Sequence, residues 1–310
     1  MNKFVNELSA VTGIKRKDLL EKDVLLHKLL FYLSKEKYFY ENYLFKGGTS
    51  LIKGLISYYR FSEDADFTWI NQNIFVNKSQ KEIKKMLSKK INEIGFLIEK
   101  ICSEINLDFK LDKSNKKYVE IGGSNKMVTF KIWYYSNFLK INSFIKLQIN
   151  FVEKIIFPKK ELILNSLLKK ENIELKKLFP KEYEIYCSKI KIKSYDIKEI
   201  ACEKLRALLT RRGIKYRDVI DLYFIFKKFN IHPKELIKET ELKTKFSLSY
   251  YEKYRINFKQ KSKLELNEII PENEEGLLLK QINKKELYKF TKEVQEVLKK
   301  LRKEIKESTN

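Results

Sequence analysis

Gly47-Gly48-Thr49-Ser50, followed downstream by Ser62-Glu63-Asp64-Ala65-Asp66-Phe67, is the stretch on which the reading of this chain turns. A short apolar run, Tyr43-Leu44-Phe45, leads into the glycines and reads as a strand. Leu51, Ile52, Leu55 and Ile56 then mark a helix, with Lys53 expected on its outside. Two glycines let a backbone turn sharply and approach a ligand closely. Thr49 or Ser50 can cap the helix that follows. The free N–H groups of its first turn suit a phosphate. Residues 64–69 alternate as a strand does, and residues two apart on a strand share a face. Asp64 and Asp66 should therefore project together while Ala65 and Phe67 face a core. Paired carboxylates suit a hard divalent ion, magnesium above all, with manganese as a substitute. Taken singly, the turn is common and the acids fit any solvated edge strand. Their order (strand, glycine turn, helix, acidic strand) is what would bring a phosphate chain and a metal to one place.

Working outward, residues 24–35 and 78–105 have helical spacing. Stretches 106–111, 117–121, 127–135 and 143–152 alternate Ile, Val, Phe and Tyr with polar residues, and are expected to be strands of one sheet. Gly122-Gly123-Ser124-Asn125 reads as a hairpin turn. After Pro158 a lysine-rich, helix-prone segment runs to Pro180, and 185–193 reads as one more strand. From Asp196 onward the pattern is helical, ending in a long helix near 280–306. The expected fold class is α+β: a mixed α/β domain over 1–155, its central mixed sheet flanked by helices, then a mostly helical domain over 156–310.

The chain has 310 residues and a formal net charge of +24, so an anionic partner, nucleic acid first, is expected. Lysine far outnumbers arginine, a bias that an AT-rich genome also produces. Cys102, Cys187 and Cys202 are scattered and form no Cys-x-x-Cys, which argues against disulfides and zinc. No apolar run approaches the ~18 residues of a membrane span. The N-terminus lacks the apolar core of a signal peptide. A soluble, cytoplasmic protein without a membrane partner is expected. His27 and His232 lie far apart, which disfavours histidine chemistry.

In the second half, Ile200, Ala201, Leu205, Leu208 and Leu209 form the buried stripe of one helix, with Lys204 and Arg211 at its margin. Such cations either lean into a cleft to meet phosphate oxygens or snorkel over a core. In the next helix Leu222, Ile225 and Phe226 mark the core face and place Asp218 partly inside. A buried carboxylate needs a partner, so Lys204, Arg211 or a metal is expected beside it. Asp221, four residues after Arg217, fits a simple helix ion pair.

Gly47-Gly48-Thr49-Ser50-Leu51 followed by Arg60-Phe61-Ser62-Glu63-Asp64-Ala65-Asp66-Phe67 resembles the opening motif of the AbiEii/AbiGii toxin family, within the DNA polymerase β-like nucleotidyltransferases. The family's second motif, a Lys-Leu…Arg helix and then Arg-Asp…Asp, is matched by Lys204-Leu205…Arg211 and Arg217-Asp218…Asp221. The resemblance covers residues 44–69 and 196–226 by motif. It implies a nucleotidyltransferase domain at the N-terminus, with the helical domain completing the active-site cleft. It further implies Mg2+-dependent transfer of NMP from an NTP to a hydroxyl on RNA, the acceptor end of tRNA in some relatives. The biological setting would be a type IV toxin–antitoxin or abortive infection system with a cognate antitoxin.

In that scheme Asp64 and Asp66 hold the metal. Gly47, Gly48, Thr49 and Ser50 cradle phosphates, and Arg60 steadies the acidic loop or a phosphate. Lys204 neutralises the triphosphate with Arg211 in support. Asp218 positions or deprotonates the acceptor, or shares the metal. One departure stands out. Many such enzymes carry a third acid on a later strand, yet the strand Phe144–Phe151 offers Lys146, Gln148 and Asn150 instead. The alternative is therefore a catalytically impaired, basic nucleic-acid-binding protein. The stripe Leu287, Phe290, Val294, Val297, Leu301 and Ile305 packs on its own domain or pairs with another chain.

Overall fold

The computed structural model describes residues 1–75, 78–123, 125–261, 266 and 271–307; Ser124 of the expected hairpin turn lies outside them. The chain divides into two compact units, residues 1–152 with 160–194, and residues 153–159 with 195–310.

The first unit opens with helices α1 (Asn2–Thr12), α2 (Lys17–Lys35) and α3 (Lys37–Asn42). Strand β1 (Tyr43–Lys46) runs into the short helix α4 (Gly47–Ser50), which continues as one π turn, Leu51–Leu55. After β2 (Asp64–Trp69) comes the long helix α5 (Gln80–Glu104). A reciprocal Ser79–Glu82 capping box starts α5, whose Ile83, Leu87, Ile91, Ile94, Ile98 and Ile101 stripe is buried. Strands β3 (Val119–Gly122), β4 (Met127–Ser136) and β5 (Ile141–Asn150) follow, then β6 (Lys160–Leu164), α6 (Ile173–Leu178), α7 (Pro180–Cys187) and β7 (Ile190–Ser194).

Among the described residues these strands form one seven-stranded sheet in the order β3-β4-β5-β2-β1-β7-β6. It is mixed: β2 runs parallel to β5 and β1 to β7, and the other pairs are antiparallel. Alternation decides its faces. Val128, Phe130, Ile132, Ile145, Leu147, Ile149, Ala65 and Phe67 are fully buried, whereas Lys131, Trp133, Phe144, Lys146, Gln148, Asp64 and Asp66 remain partly open.

Four expectations change. Residues 106–111 contribute only one bridge, Asp108 to Trp133, instead of a strand. The segment after Pro158 is not all helix: Lys160–Leu164 pairs along β7, an instance of tertiary pairing overriding local propensity. Residues 185–187 end a helix that starts with Pro180 at its first position, and the strand begins only at Ile190. Because β6 and β7 belong to the sheet, the units do not meet at a single boundary near 155. Residues 153–159 join the second unit, where Glu199 accepts the N–H groups of Ile156 (2.8 Å) and Phe157 (2.7 Å).

The second unit holds α8 (Ile197–Thr210), α9 (Tyr216–Phe229), α10 (Ile237–Tyr250), α11 (Glu252–Gln260), α12 (Glu272–Glu275) and α13 (Lys284–Glu307). The apolar stripe of α13 is buried, and α13 packs on α8, α9 and α10, so its own unit covers it. No described helix is long and apolar enough to cross a membrane.

Candidate active site

Strand β2 is flanked by β1 on one side and β5 on the other, so its two acids stand near the middle of the sheet. Asp64 pairs in register with Lys146, and Asp66 lies between Lys46 of β1 and Gln148 of β5. Ala65 and Phe67 are buried and the acids partly exposed, so both carboxylates leave the same face, their Cα atoms about 7 Å apart.

The glycine turn is built against these acids. Gly47 has φ +75°, in the left-handed region, and a Cβ there would sit 2.5 Å from Asp66 Oδ2. A Cβ on Gly48 would sit 2.3 Å from Arg60 Nη2. Each glycine thus makes room for one side chain of the neighbouring segment. The hydroxyls act differently from the expected caps, since α4 begins at Gly47 without a side-chain cap. Thr49 Oγ1 instead lies within hydrogen-bonding reach of Ser62 Oγ (2.9 Å) and of the Asp64 carbonyl oxygen. Ser50 Oγ donates to the Gly47 carbonyl at 2.9 Å. Thr49 therefore ties the turn to the acidic strand, and Ser50 closes the turn on itself.

Arg60 is buried, and its Nη1 donates to the Phe61 carbonyl at 2.7 Å, which braces the loop leading to the acids. From the other side Lys22 of α2 donates to Glu63 at 2.9 Å. Lys53, expected outside, is 3% exposed. The π turn rotates it inward, where its Nζ lies 2.8 Å from Asp23 Oδ1 and 2.5 Å from Tyr58 Oη. Tyr186 also donates to Asp23, at 2.8 Å. A buried lysine survives there because its carboxylate partner is equally buried. The periodicity of one helix gives no sign of this, as Asp23, Tyr58 and Tyr186 come from distant segments. Lys46, buried and in register with Asp66, has no periodic signal either; its place directly before the glycines is the only mark it carries in the sequence.

Gln148 and Lys146 occupy the positions on β5 beside the acids, so the neighbouring strand supplies no third carboxylate. Among the described residues no group of three or more His, Cys, Asp or Glu could hold a metal. The pair nonetheless suits magnesium, which commonly takes one or two carboxylates and completes its shell with waters and substrate phosphates.

The second unit holds a separate cluster. Lys204 Nζ lies 3.0 Å from Asp218 Oδ1 and 2.5 Å from Asp221 Oδ2, and Arg211 pairs with Asp218 Oδ2. Asp221 is completely buried and bound to Lys204, so the expected simple Arg217–Asp221 helix pair does not describe it. Burial alone would raise the Asp218 carboxyl, but Lys204 and Arg211 outweigh it and hold the group below the usual carboxylate range. The side chain of Arg211 is the open edge of the network, at 39% exposure.

The family model described as nucleotidyl transferase AbiEii toxin, type IV TA system, matches residues 28–303. The structure resembles that of JHP933 from Helicobacter pylori, with TM-score 0.41, 17% identity and 94% of each chain covered. It also resembles that of a provisionally assigned nucleotidyltransferase from H. pylori, with TM-score 0.42, 16% identity and 93% and 96% of the two chains covered. No curated protein matches the chain.

Proposed function

Since this chain belongs to the AbiEii family of nucleotidyl transferase toxins of type IV toxin–antitoxin systems, we propose that it moves NMP from an NTP to a hydroxyl of an RNA, tRNA foremost. The observation that carries the reading is the convergence of Asp64 and Asp66 on one open sheet face, with Gly47 fitted against Asp66. Asp64 and Asp66 would hold a magnesium ion, which would supply charge neutralisation at the reacting phosphoryl group.

The protein's own groups do the positioning. The Gly47–Ser50 turn offers backbone N–H groups to the outer phosphates. Thr49 and Arg60 hold the loop that leads to the acids. Lys204 and Arg211 are assigned to neutralising the triphosphate, with Arg211 as the more accessible cation. Asp218, held ionised by both, is a poor proton acceptor at neutral pH and is assigned to orienting Lys204 and Arg211. The positive charge of the chain suits a polyanionic acceptor, and binding should weaken steeply with salt. A cognate antitoxin is the expected protein partner, and the cytoplasm the expected compartment.

The test is to incubate the protein with magnesium, each labelled NTP and total RNA. Transfer of label by the wild type and its loss in Asp64→Ala are expected. Absence of transfer with every NTP, or equal transfer by Asp64→Ala, overturns the proposal. The second reading, a basic nucleic-acid binder without catalysis, has the missing carboxylate at Gln148 in its favour. It predicts no Asp64-dependent heat when magnesium–NTP is titrated into the protein.

A further inference from the structure

The face of the sheet that carries Asp64 and Asp66 does not end with them. The register continues it across β5 and β4: Lys146 pairs with Lys131, Phe144 with Trp133, and Asn142 with Tyr135. All of these lie on the side of the strands opposite the buried Ile145, Ile132 and Phe130. Trp133 and Phe144 are partly open, their ring centroids 4.9 Å apart, and Tyr135 is 54% exposed. Tyr135 thus leaves about half of its surface open on the same face of the sheet.

Lysines frame the rings. Lys131 Nζ lies 5.7 Å from the Phe144 centroid, and Lys117 Nζ lies 5.7 Å from that of Trp133. Lys131 is also paired with Glu120, and Lys117 with Asp108 at 3.3 Å, so these two are held in place rather than loose. Among the described residues no ion pair or hydrogen bond takes up Lys146 Nζ, between Asp64 and the aromatic end. Phe144 is two residues from Lys146, about 7 Å along the strand, and Lys146 sits about 5 Å across the ladder from Asp64.

We propose that Trp133, Phe144 and Tyr135 form a stacking platform for the unpaired bases of a single-stranded RNA, with Lys146 and Lys131 meeting its backbone. This rests on the transferase reading above and deepens it: the platform would lead the single-stranded end of an acceptor toward the acids. Aromatic rings interleaved with lysines suit single strands because every base has a π-face while the phosphates need cations. A duplex hides those faces, so the platform selects unpaired ends.

The experiment uses the full chain in metal-free buffer, so that no chemistry occurs. Its probes are a short fluorescein-labelled single-stranded RNA of mixed sequence and the blunt duplex made from it. Trp133→Ala and Tyr135→Ala should each weaken single-strand binding about five- to hundredfold, with Trp133→Phe retaining most of it and duplex binding little changed. The chain has two tryptophans, and Trp69 is buried, so quenching of the partly open Trp133 by single-stranded RNA should disappear in Trp133→Phe. If Trp133→Ala does not fold, Tyr135→Ala and the Trp133→Phe quench still decide. Wild-type single-strand affinity in both Tyr135→Ala and Trp133→Ala overturns the platform, and so does an equal loss on single strand and duplex. Platform variants that lose binding in a protein that never transfers label would sink the transferase reading and spare the platform; transfer without an effect of the rings would do the reverse.

Discussion

Replacing Gly47 by alanine tests how tightly the turn and the strand that carries Asp66 are fitted. Two costs can be separated. At φ +75° an L-residue is strained by roughly 1–2 kcal/mol. The new methyl would also stand 2.5 Å from Asp66 Oδ2, closer than a Cβ approaches any neighbour, and in tight contact with Asp66 Cβ and Cγ at 3.2 Å. Relieving it means moving the carboxylate by about 1 Å or shifting the turn, an overpacking cost of about 1–3 kcal/mol. A displacement of that size at a catalytic group can lower the rate by about a hundredfold. Urea unfolding measures the loss of stability, and label transfer to RNA measures the loss of rate.

A double-mutant cycle then isolates the contact. In an Asp66→Ala background the oxygen is gone, so Gly47→Ala should cost chiefly the backbone strain. The coupling should be about 1 kcal/mol or more. Additive effects of Gly47→Ala and Asp66→Ala on stability would refute the fit between turn and strand. Full activity in Gly47→Ala would refute its importance for the chemistry.

Lys204→Met should destabilise the protein by about 3–5 kcal/mol, because it leaves Asp221 and Asp218 buried with Arg211 alone; urea unfolding would show it, and a shift under about 1 kcal/mol would mean the network is solvated. Lys243→Met should behave similarly, since Lys243 is the buried partner of the fully buried Glu199 and also donates to the Lys154 carbonyl. Burial, helped by Lys53, holds the His27 imidazole well below its ordinary range, so the folded state keeps it neutral while the unfolded state takes up a proton. The sign follows: that contribution is present above about pH 6.5 and declines below it, by up to ~1.4 kcal/mol per pH unit. Unfolding free energies between about pH 7.5 and pH 5 should show this slope in the wild type and lose it in His27→Gln; an unchanged slope in the variant would assign it elsewhere.

The acids and the turn are legible in the sequence because their signals are local. Period-two alternation puts Asp64 and Asp66 on one side of a strand whatever lies beside it, and a glycine pair ahead of a helix reads the same in any fold. The same holds for the stripe of α13 and for the alternation of β4 and β5, whose core faces follow from the residue pattern alone. The requirement that a buried Asp218 find a cation is also local chemistry, and Lys204 and Arg211 are indeed its neighbours.

What the tertiary structure decided is which local segments meet. Lys53 looks like a solvent-facing lysine until a π turn rotates it toward Asp23, from a helix well upstream. The strand character of Lys160–Leu164 exists only because β7 lies beside it, and that pairing places residues 160–194 with the first unit. The hydroxyls of Thr49 and Ser50 are free to cap a helix as far as the sequence goes, but contact with Ser62 and the Asp64 carbonyl turns Thr49 into a tie between turn and strand. The glycines acquire their reason the same way. A permissive backbone explains a turn, and only the side chains of Asp66 and Arg60, delivered by another segment, explain why neither position has room for a methyl group.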